Sequence, residues 1–199
     1  KVSAFYSSQR ETFWNGTYSP KTAKFGGGFG RKGLATVQNN ETLNELFETT
    51  VNYDKTFGKV AMSILGGYSY QEFFYQGDYT QAGNFLTDAF TYNNLGAALD
   101  FANGLATVYS YATENKLVAF FGRANFNIDD TYLLSISSRY EGSTRFGENN
   151  KWGLFPAISA GVNIANLVDI TGVNAMKLRA SFGRTGTQPG DSYISLLRY

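Results

Sequence analysis

Between Leu117 and Tyr140 the sequence changes character at every second residue. Val118, Phe120, Gly122, Ala124, Phe126 and Ile128 alternate with Arg123, Asn125 and Asn127. After Asp129-Asp130-Thr131 the pattern resumes, with Tyr132, Leu134, Ile136, Ser138 and Tyr140 opposing Ser135, Ser137 and Arg139. Successive side chains of an extended chain point to opposite faces, so this predicts two strands with one apolar face each, joined by a tight turn. A helical period of 3.6 would scatter both sets around the axis and leave neither face apolar.

The same rhythm recurs along the chain. Leu43, Phe47, Val51 and Tyr53 alternate with Asn44, Glu48, Thr50 and Asn52, and a turn at Asp54–Lys59 leads into a strand over Val60–Tyr70. Ile158, Ala160, Val162 and Ile164 oppose Ser159, Gly161 and Asn163, while Met176, Leu178, Ala180 and Phe182 oppose Lys177, Arg179 and Ser181. Val2–Arg10 and Tyr193–Tyr199 complete an expectation of about eight strands. The connections alternate in length. Those at 54–59, 129–131 and 165–175 are short or moderate; those at 11–41, 72–115, 141–153 and 184–191 are mostly long. A soluble sandwich has no reason to alternate its loops in this way, whereas an outer-membrane barrel has short periplasmic turns and long extracellular loops. Tyr53, Phe57, Phe126 and Tyr132 cluster by the short turns, as an interfacial girdle would. The expected fold is an all-β, antiparallel transmembrane barrel. A mean hydropathy of −0.26 is compatible with it, because every second residue of a barrel strand faces a polar lumen.

Composition removes several chemistries. The chain has no Cys and no His, so no Ser-His-Asp triad, Cys-His pair or usual zinc site can be built from it. No catalytic residue, cofactor or metal is expected. A net charge of +1 lacks the basic excess of a nucleic-acid binder. Gly28-Phe29-Gly30-Arg31-Lys32-Gly33 matches a dinucleotide-binding spacing, but no helical pattern follows it, and that fingerprint requires one. Asp129-Asp130 sits in a hairpin turn and offers no cleft for paired-carboxylate chemistry.

Two residue sets are candidates for contact with a solute. Arg123, Asn125, Asn127, Arg139, Lys177 and Arg179 all oppose an apolar face, and an Arg or Lys on a barrel's lipid face costs about 2–4 kcal/mol at midplane. They are expected to line the lumen, where hydration and carboxylate pairing are their simplest roles. Trp14, Tyr75, Tyr79, Phe90 and Tyr92 are expected in the long loops, where they either stack on a ligand or pack the loops together.

Several stretches also resemble a known family. Arg139-Tyr140-Glu141-Gly142-Ser143-Thr144-Arg145-Phe146-Gly147, followed by Trp152-Gly153-Leu154-Phe155-Pro156-Ala157-Ile158-Ser159-Ala160-Gly161, is similar to the R-x-D-G-S-S-R-F-G…W-G-x-F-P-S-x-S-x-G-W stretch of SusC/RagA TonB-dependent outer-membrane transporters. Lys177-Leu178-Arg179-Ala180-Ser181-Phe182-Gly183-Arg184-Thr185-Gly186-Thr187-Gln188, Phe121-Gly122-Arg123-Ala124-Asn125-Phe126 and Asn52-Tyr53-Asp54-Lys55-Thr56-Phe57-Gly58-Lys59 resemble further motifs of that family, in the same order. Glu141, Val162, Phe182 and Thr187 depart mildly from the pattern. The match is dense over 116–199 and sparse before it.

The resemblance implies part of a roughly 22-stranded barrel in the bacterial outer membrane. It implies a plug domain and a TonB box that match nothing in 1–199. It further implies a SusD-like surface lipoprotein as partner, coupling to the TonB complex, contact with outer-membrane lipid, and a glycan or peptide substrate. Residues 1–199 then form a segment of one barrel domain. Two other readings stay open at this point. One is a complete small eight-stranded barrel with a structural or adhesin role, whose first and last strands would pair. The other is a soluble surface glycan-binding β-protein, polar on both outer faces.

Overall fold

A computed structural model describes residues 1–24, 30–168, 175–190 and 193. Seven strands form one sheet in the order β1-β2-β3-β4-β5-β6-β7. They are β1 (Val2–Ser19), β2 (Leu34–Phe57), β3 (Val60–Gly83), β4 (Thr107–Ile128), β5 (Tyr132–Ser143), β6 (Trp152–Asn163) and β7 (Lys177–Gly183). Neighbours in sequence are neighbours in the sheet, which is the meander that hairpins generate. The eighth strand expected over Tyr193–Tyr199 lies outside the described residues apart from Tyr193.

Turn chemistry sets the short connections. In the β2–β3 turn Gly58 has φ 58°, a backbone that glycine adopts without steric cost. In the β4–β5 turn Asp129 and Asp130 both have positive φ, 53° and 52°, and the Thr131 N–H donates to the Ile128 carbonyl at 3.0 Å. Asp tolerates this left-handed conformation because its short side chain bonds locally: Asn127 Nδ2 donates to Asp130 Oδ1 at 2.7 Å. The turns also hold one another. The Asp129 N–H donates to the Lys59 carbonyl at 2.8 Å, and Asn166 Nδ2 donates to the Asp130 carbonyl at 3.0 Å.

Residues form two compact units, 1–8, 45–72 and 115–199 in the first, and 9–44 and 73–114 in the second. In the first unit the register makes the alternation physical. Ala124, Ile136, Ile158 and Phe182 form one cross-strand row, and Phe126, Leu134, Ala160 and Ala180 the next. Ile136, Ile158 and Phe182 are 45%, 47% and 74% exposed. Burying such a side chain is worth about 1.5–3 kcal/mol, and roughly ten half-exposed ones would forgo an amount comparable to a domain's net stability of about 5–15 kcal/mol. A soluble sheet covers such a face with a second layer. No described element covers this one, and it is apolar, contrary to the soluble reading.

Two aromatic belts bound that face. Near the turns stand Tyr53, Phe57 and Tyr132, each about half exposed, with the Lys55 ammonium over the Phe57 ring. Further along, Phe47, Tyr68, Phe120, Trp152 and Tyr140 contact one another in sequence, with ring centroids 6.5, 5.3, 6.5 and 4.8 Å apart. Tyr132 and Tyr140 are separated by eight residues of β5. At about 3.3 Å per residue and a tilt of about 35–45°, that spans roughly 20 Å of height, close to the apolar band of about 25 Å between the girdles of outer-membrane barrels. Phe126, expected in the girdle with Tyr53, Phe57 and Tyr132, instead stands in the apolar row with Leu134, Ala160 and Ala180, and the second belt was not expected from the sequence.

One packing contact on the opposite face yields a prediction. A Cβ on Gly67 would collide with the Phe121 ring and lie 3.0 Å from the Thr49 carbonyl. Gly67→Ala is therefore expected to cost about 1–3 kcal/mol through overpacking, read as a lower thermal unfolding midpoint of the detergent-solubilised protein. An unchanged midpoint would show that Phe121 moves aside freely.

In the second unit the structure corrects the expected loops. β1 continues to Ser19, β2 starts at Leu34, β3 runs to Gly83 and β4 starts at Thr107. Trp14, Tyr75 and Tyr79 are strand residues, not loop residues. The reason is chemical: these stretches carry polar side chains on both faces, so hydrophobic alternation cannot report them as strands. Gly30–Gly33 lead directly into β2 with no helix, so the described part of the glycine-rich motif is loop; Gly28 and Phe29 lie outside the described residues.

The long β3–β4 connection, 84–106, packs on the sheet through Phe85, Ala98, Ala35 and Ala82, with Tyr18, Tyr92, Leu95 and Ala106 against them. Its anchor is Asp100, in the short helix α1 (Leu99–Ala102) and wholly buried. The carboxylate accepts the Gly83 N–H at 2.7 Å and Asn84 Nδ2, and it pairs with Arg31 Nη1 at 3.2 Å.

Candidate functional site

The sheet places all six lumen-facing candidates opposite the apolar rows. Arg123 pairs in register with Ser137, Asn125 with Ser135, and Asn127 with Leu133; Arg139 is opposite Phe155, Arg179 opposite Gly161 and Lys177 opposite Asn163. Asn125, Ser135, Ser159 and Ser181 form a polar row directly behind Phe126 and Leu134, and Ser135 Oγ donates to Asn125 Oδ1 at 2.7 Å. Together with Asp54, Ser63, Asn127 and Arg179 this row lines a hollow of about 790 Å³.

The cations are used differently. Arg139 pairs with Glu141 at 2.5 Å and stands 5.8 Å from the Phe121 ring centroid. Glu141 in turn accepts Gln188 Nε2 at 3.2 Å, and Arg145 Nη1 donates to the Pro189 carbonyl at 2.7 Å. This ties the stretch after β7 onto β5. Gly186 leaves room for Phe155, whose ring would lie 2.5 Å from a Cβ there. Part of the motif that carried the family resemblance thus has a structural job. Arg123 is exposed and Arg179 lies across Gly161, its Cγ 3.3 Å from where a Cβ would be; neither makes an ion pair among the described residues.

The five aromatic candidates divide. Trp14 packs edge-on against Tyr92, 5.5 Å between centroids, so these two join β1 to the β3–β4 connection. Phe90 is half exposed and makes no ring contact among the described residues. Tyr75 and Tyr79 instead join two residues that the sequence reading missed. Tyr79 stacks on Tyr109 at 5.1 Å, Tyr109 on Tyr111 at 6.4 Å, and Tyr111 lies 5.3 Å from Tyr75. The Tyr111 hydroxyl is bonded to Asn40 Oδ1 at 2.8 Å and to the Tyr75 hydroxyl at 2.9 Å. The i, i+2 spacing of Tyr75 and Tyr79 and of Tyr109 and Tyr111 is a strand signal, but a weak one, because Gly77 interrupts it and polar residues flank it on both sides. Beside Tyr111 lies a hollow of about 640 Å³, bordered by Phe13, Asn40 and Gly77. Among the described residues no cluster of acidic side chains could hold a metal ion.

No family model matches the chain. It is 35% identical over 189 residues to TonB-dependent receptor P3 of Formosa agariphila, an alignment covering 92% of this chain and 18% of that protein. It is 39% identical over 94 residues to TonB-dependent receptor SusC of Bacteroides thetaiotaomicron, covering 45% of this chain and 9% of SusC. The fold is similar to the solved structure of the RagAB peptide transporter, with a TM-score of 0.81 at 19% identity over 92% of this chain and 20% of that one. The chain spans about a fifth of the length of P3 and of the RagAB chain. An antiparallel sheet with an uncovered apolar face between two aromatic belts, and a polar face behind it, is the wall of a transmembrane β-barrel. This wall belongs to the SusC/RagA family of TonB-dependent receptors.

Proposed function

We propose that residues 1–199 form part of the single barrel domain of an outer-membrane transporter that imports oligosaccharides or peptides. In this reading the plug and TonB box lie elsewhere in the protein, the TonB complex supplies energy, and a SusD-like lipoprotein is the surface partner. The polar row with Arg123, Asn125, Asn127, Arg139, Lys177 and Arg179 faces the interior, and the belts sit at the two membrane interfaces. Lipid of the outer membrane covers the apolar rows. The chain does no covalent chemistry, in keeping with its lack of Cys and His. The observation that carries the reading is the exposed apolar face of β4–β7 backed by polar side chains.

The test is uptake. Deleting the receptor is expected to abolish entry of one class of oligosaccharide or peptide into intact cells, and deleting TonB is expected to reproduce the defect. Unchanged uptake of both classes in the deletion strain would overturn the reading.

A further inference from the structure

We propose that the first part of β4, Thr107–Thr113, takes up one further strand from a partner protein: an extended, uncharged segment that pairs antiparallel along its free edge. This concerns assembly and holds whatever solute the receptor imports. β4 is longer than its neighbour β5. Their ladder begins at Leu117↔Ser143, so Thr107–Lys116 extend past the end of β5. Lys116 shows which way the main chain points there. Its N–H donates to Thr144 Oγ1 at 2.9 Å, and its carbonyl accepts the Thr144 N–H at 3.0 Å. Main-chain groups of a strand alternate sides residue by residue. Those of Val108, Ser110 and Ala112 therefore point the same way as those of Lys116, and among the described residues no strand pairs with them on that side.

A row of unpaired N–H and C=O groups recruits other strands, and natural sheets blunt such an edge with Lys, with Pro or with a covering element. Thr107-Val108-Tyr109-Ser110-Tyr111-Ala112-Thr113 carries no Lys, no Pro and no charge. Its β-branched and aromatic residues favour strand pairing instead. The rest of the barrel wall has no strand to place there, because β3 and β5, the wall neighbours of β4, are both in this chain.

The side chains along the edge state what the partner carries. A charge placed beside this neutral stretch would lose water and gain no counter-charge, so the incoming strand is uncharged. Tyr109 stacks on Tyr79 and is still half exposed; an aromatic residue opposite it would extend the ladder. Val108 is 63% exposed, and the exposed apolar side chains of Leu99, Phe101 and Leu105 continue from it into the connection before β4. One strand alone does not cover these, whereas a folded protein that donates the strand does. Main-chain bonds then supply affinity and the alternate side chains specificity, the usual division in strand addition.

The experiment follows amide hydrogen exchange in the whole receptor, in native outer-membrane fragments and after purification in detergent to the single chain. The amides of Val108, Ser110 and Ala112 are expected to exchange at least about tenfold more slowly in the fragments. A fluorescent peptide copy of 107–113 serves as probe strand for the purified receptor; its near-palindromic order sets Tyr opposite Tyr and Val opposite Ala. Methylating its central amide, or Ser110→Pro in the receptor, is expected to weaken binding at least about tenfold. Proline removes the central edge N–H and leaves the β3 ladder intact, because that N–H points away from β3. Fast exchange in both preparations would leave the edge bare, and slow exchange in both would give it to the receptor itself; either overturns the proposal. So does protection restored to the purified receptor by a protein-free filtrate of the cells, since the occupant is then a solute, and so does a peptide copy that fails to bind or ignores Ser110→Pro. None of these outcomes touches uptake, so the import reading is tested separately.

Discussion

Asp100→Ala is expected to release the connection between β3 and β4 from the sheet while leaving the barrel wall assembled. The carboxylate is fully buried and serves the Gly83 N–H, Asn84 Nδ2 and Arg31 at once. Removing it strands the buried Gly83 N–H, while the Asn84 amide is partly exposed and the Arg31 side chain 37% exposed, so both of these reach water. Breaking a buried pair by deleting one partner typically costs about 3–5 kcal/mol, with the exposure of Arg31 drawing the figure to the lower end. The remaining ties are the small cluster of Phe85, Ala98, Leu95 and Tyr92 with the sheet and hydrogen bonds near the start of the segment, from the Phe85 N–H to the Lys32 carbonyl at 2.7 Å and from the Tyr18 hydroxyl to Asp88. Limited chymotrypsin digestion of the detergent-solubilised receptor reads the result, since 84–106 holds Phe90, Tyr92 and Phe101 but no Lys or Arg. The variant should be cut there at least tenfold faster than the parent. Asp100→Asn, which keeps an acceptor for Gly83 but loses the charge facing Arg31, should fall between them. Equal cleavage of all three would show that the apolar cluster and the hydrogen bonds near the start of the segment retain the connection without Asp100.

The second large effect separates the two faces of one strand. Ile136→Arg puts a guanidinium in the row Ala124, Ile136, Ile158 and Phe182, midway between the aromatic belts. At the midplane of a barrel's lipid face this costs about 2–4 kcal/mol. Ser137→Arg, one residue along, puts the same group beside Arg123 on the polar face, where water solvates it and only modest like-charge repulsion remains. Ile136→Arg should lower the amount of folded, heat-modifiable receptor in the outer-membrane fraction several-fold; Ser137→Arg should leave it near parental. Equal losses would mean that β5 does not present these two residues to different solvents, and the membrane-wall reading would go with it.

The particular residues show where sequence sufficed. Phe126 and Asn127, or Ile136 and Ser137, announce their faces locally, because side-chain direction in a strand depends only on parity and the two faces meet different solvents. The tight turn at Asp129-Asp130 and the glycine turn at Gly58 were equally legible, since positive φ restricts the residue types allowed. The strand ends in 9–44 and 73–114 were not. With polar groups on both sides of a strand little alternation marks it beyond the spaced tyrosines, and its hydrogen-bonded ladder makes it a strand.

What the amino-acid order determined by itself was the period, the pairing of neighbours through short turns and the division of residues between oil and water. Tertiary structure alone decided which residues became neighbours across strands. Tyr75, Tyr79, Tyr109 and Tyr111 meet because β3 and β4 pair in one register, and a slip of one residue would have turned one pair to the opposite face. Phe47, Tyr68, Phe120, Tyr140 and Trp152 form a belt for the same reason, and Asp100 finds Arg31 only after a connection of more than twenty residues folds back. Parity is a property of one strand, whereas register is set by the energy of all pairings together, and no single segment encodes it.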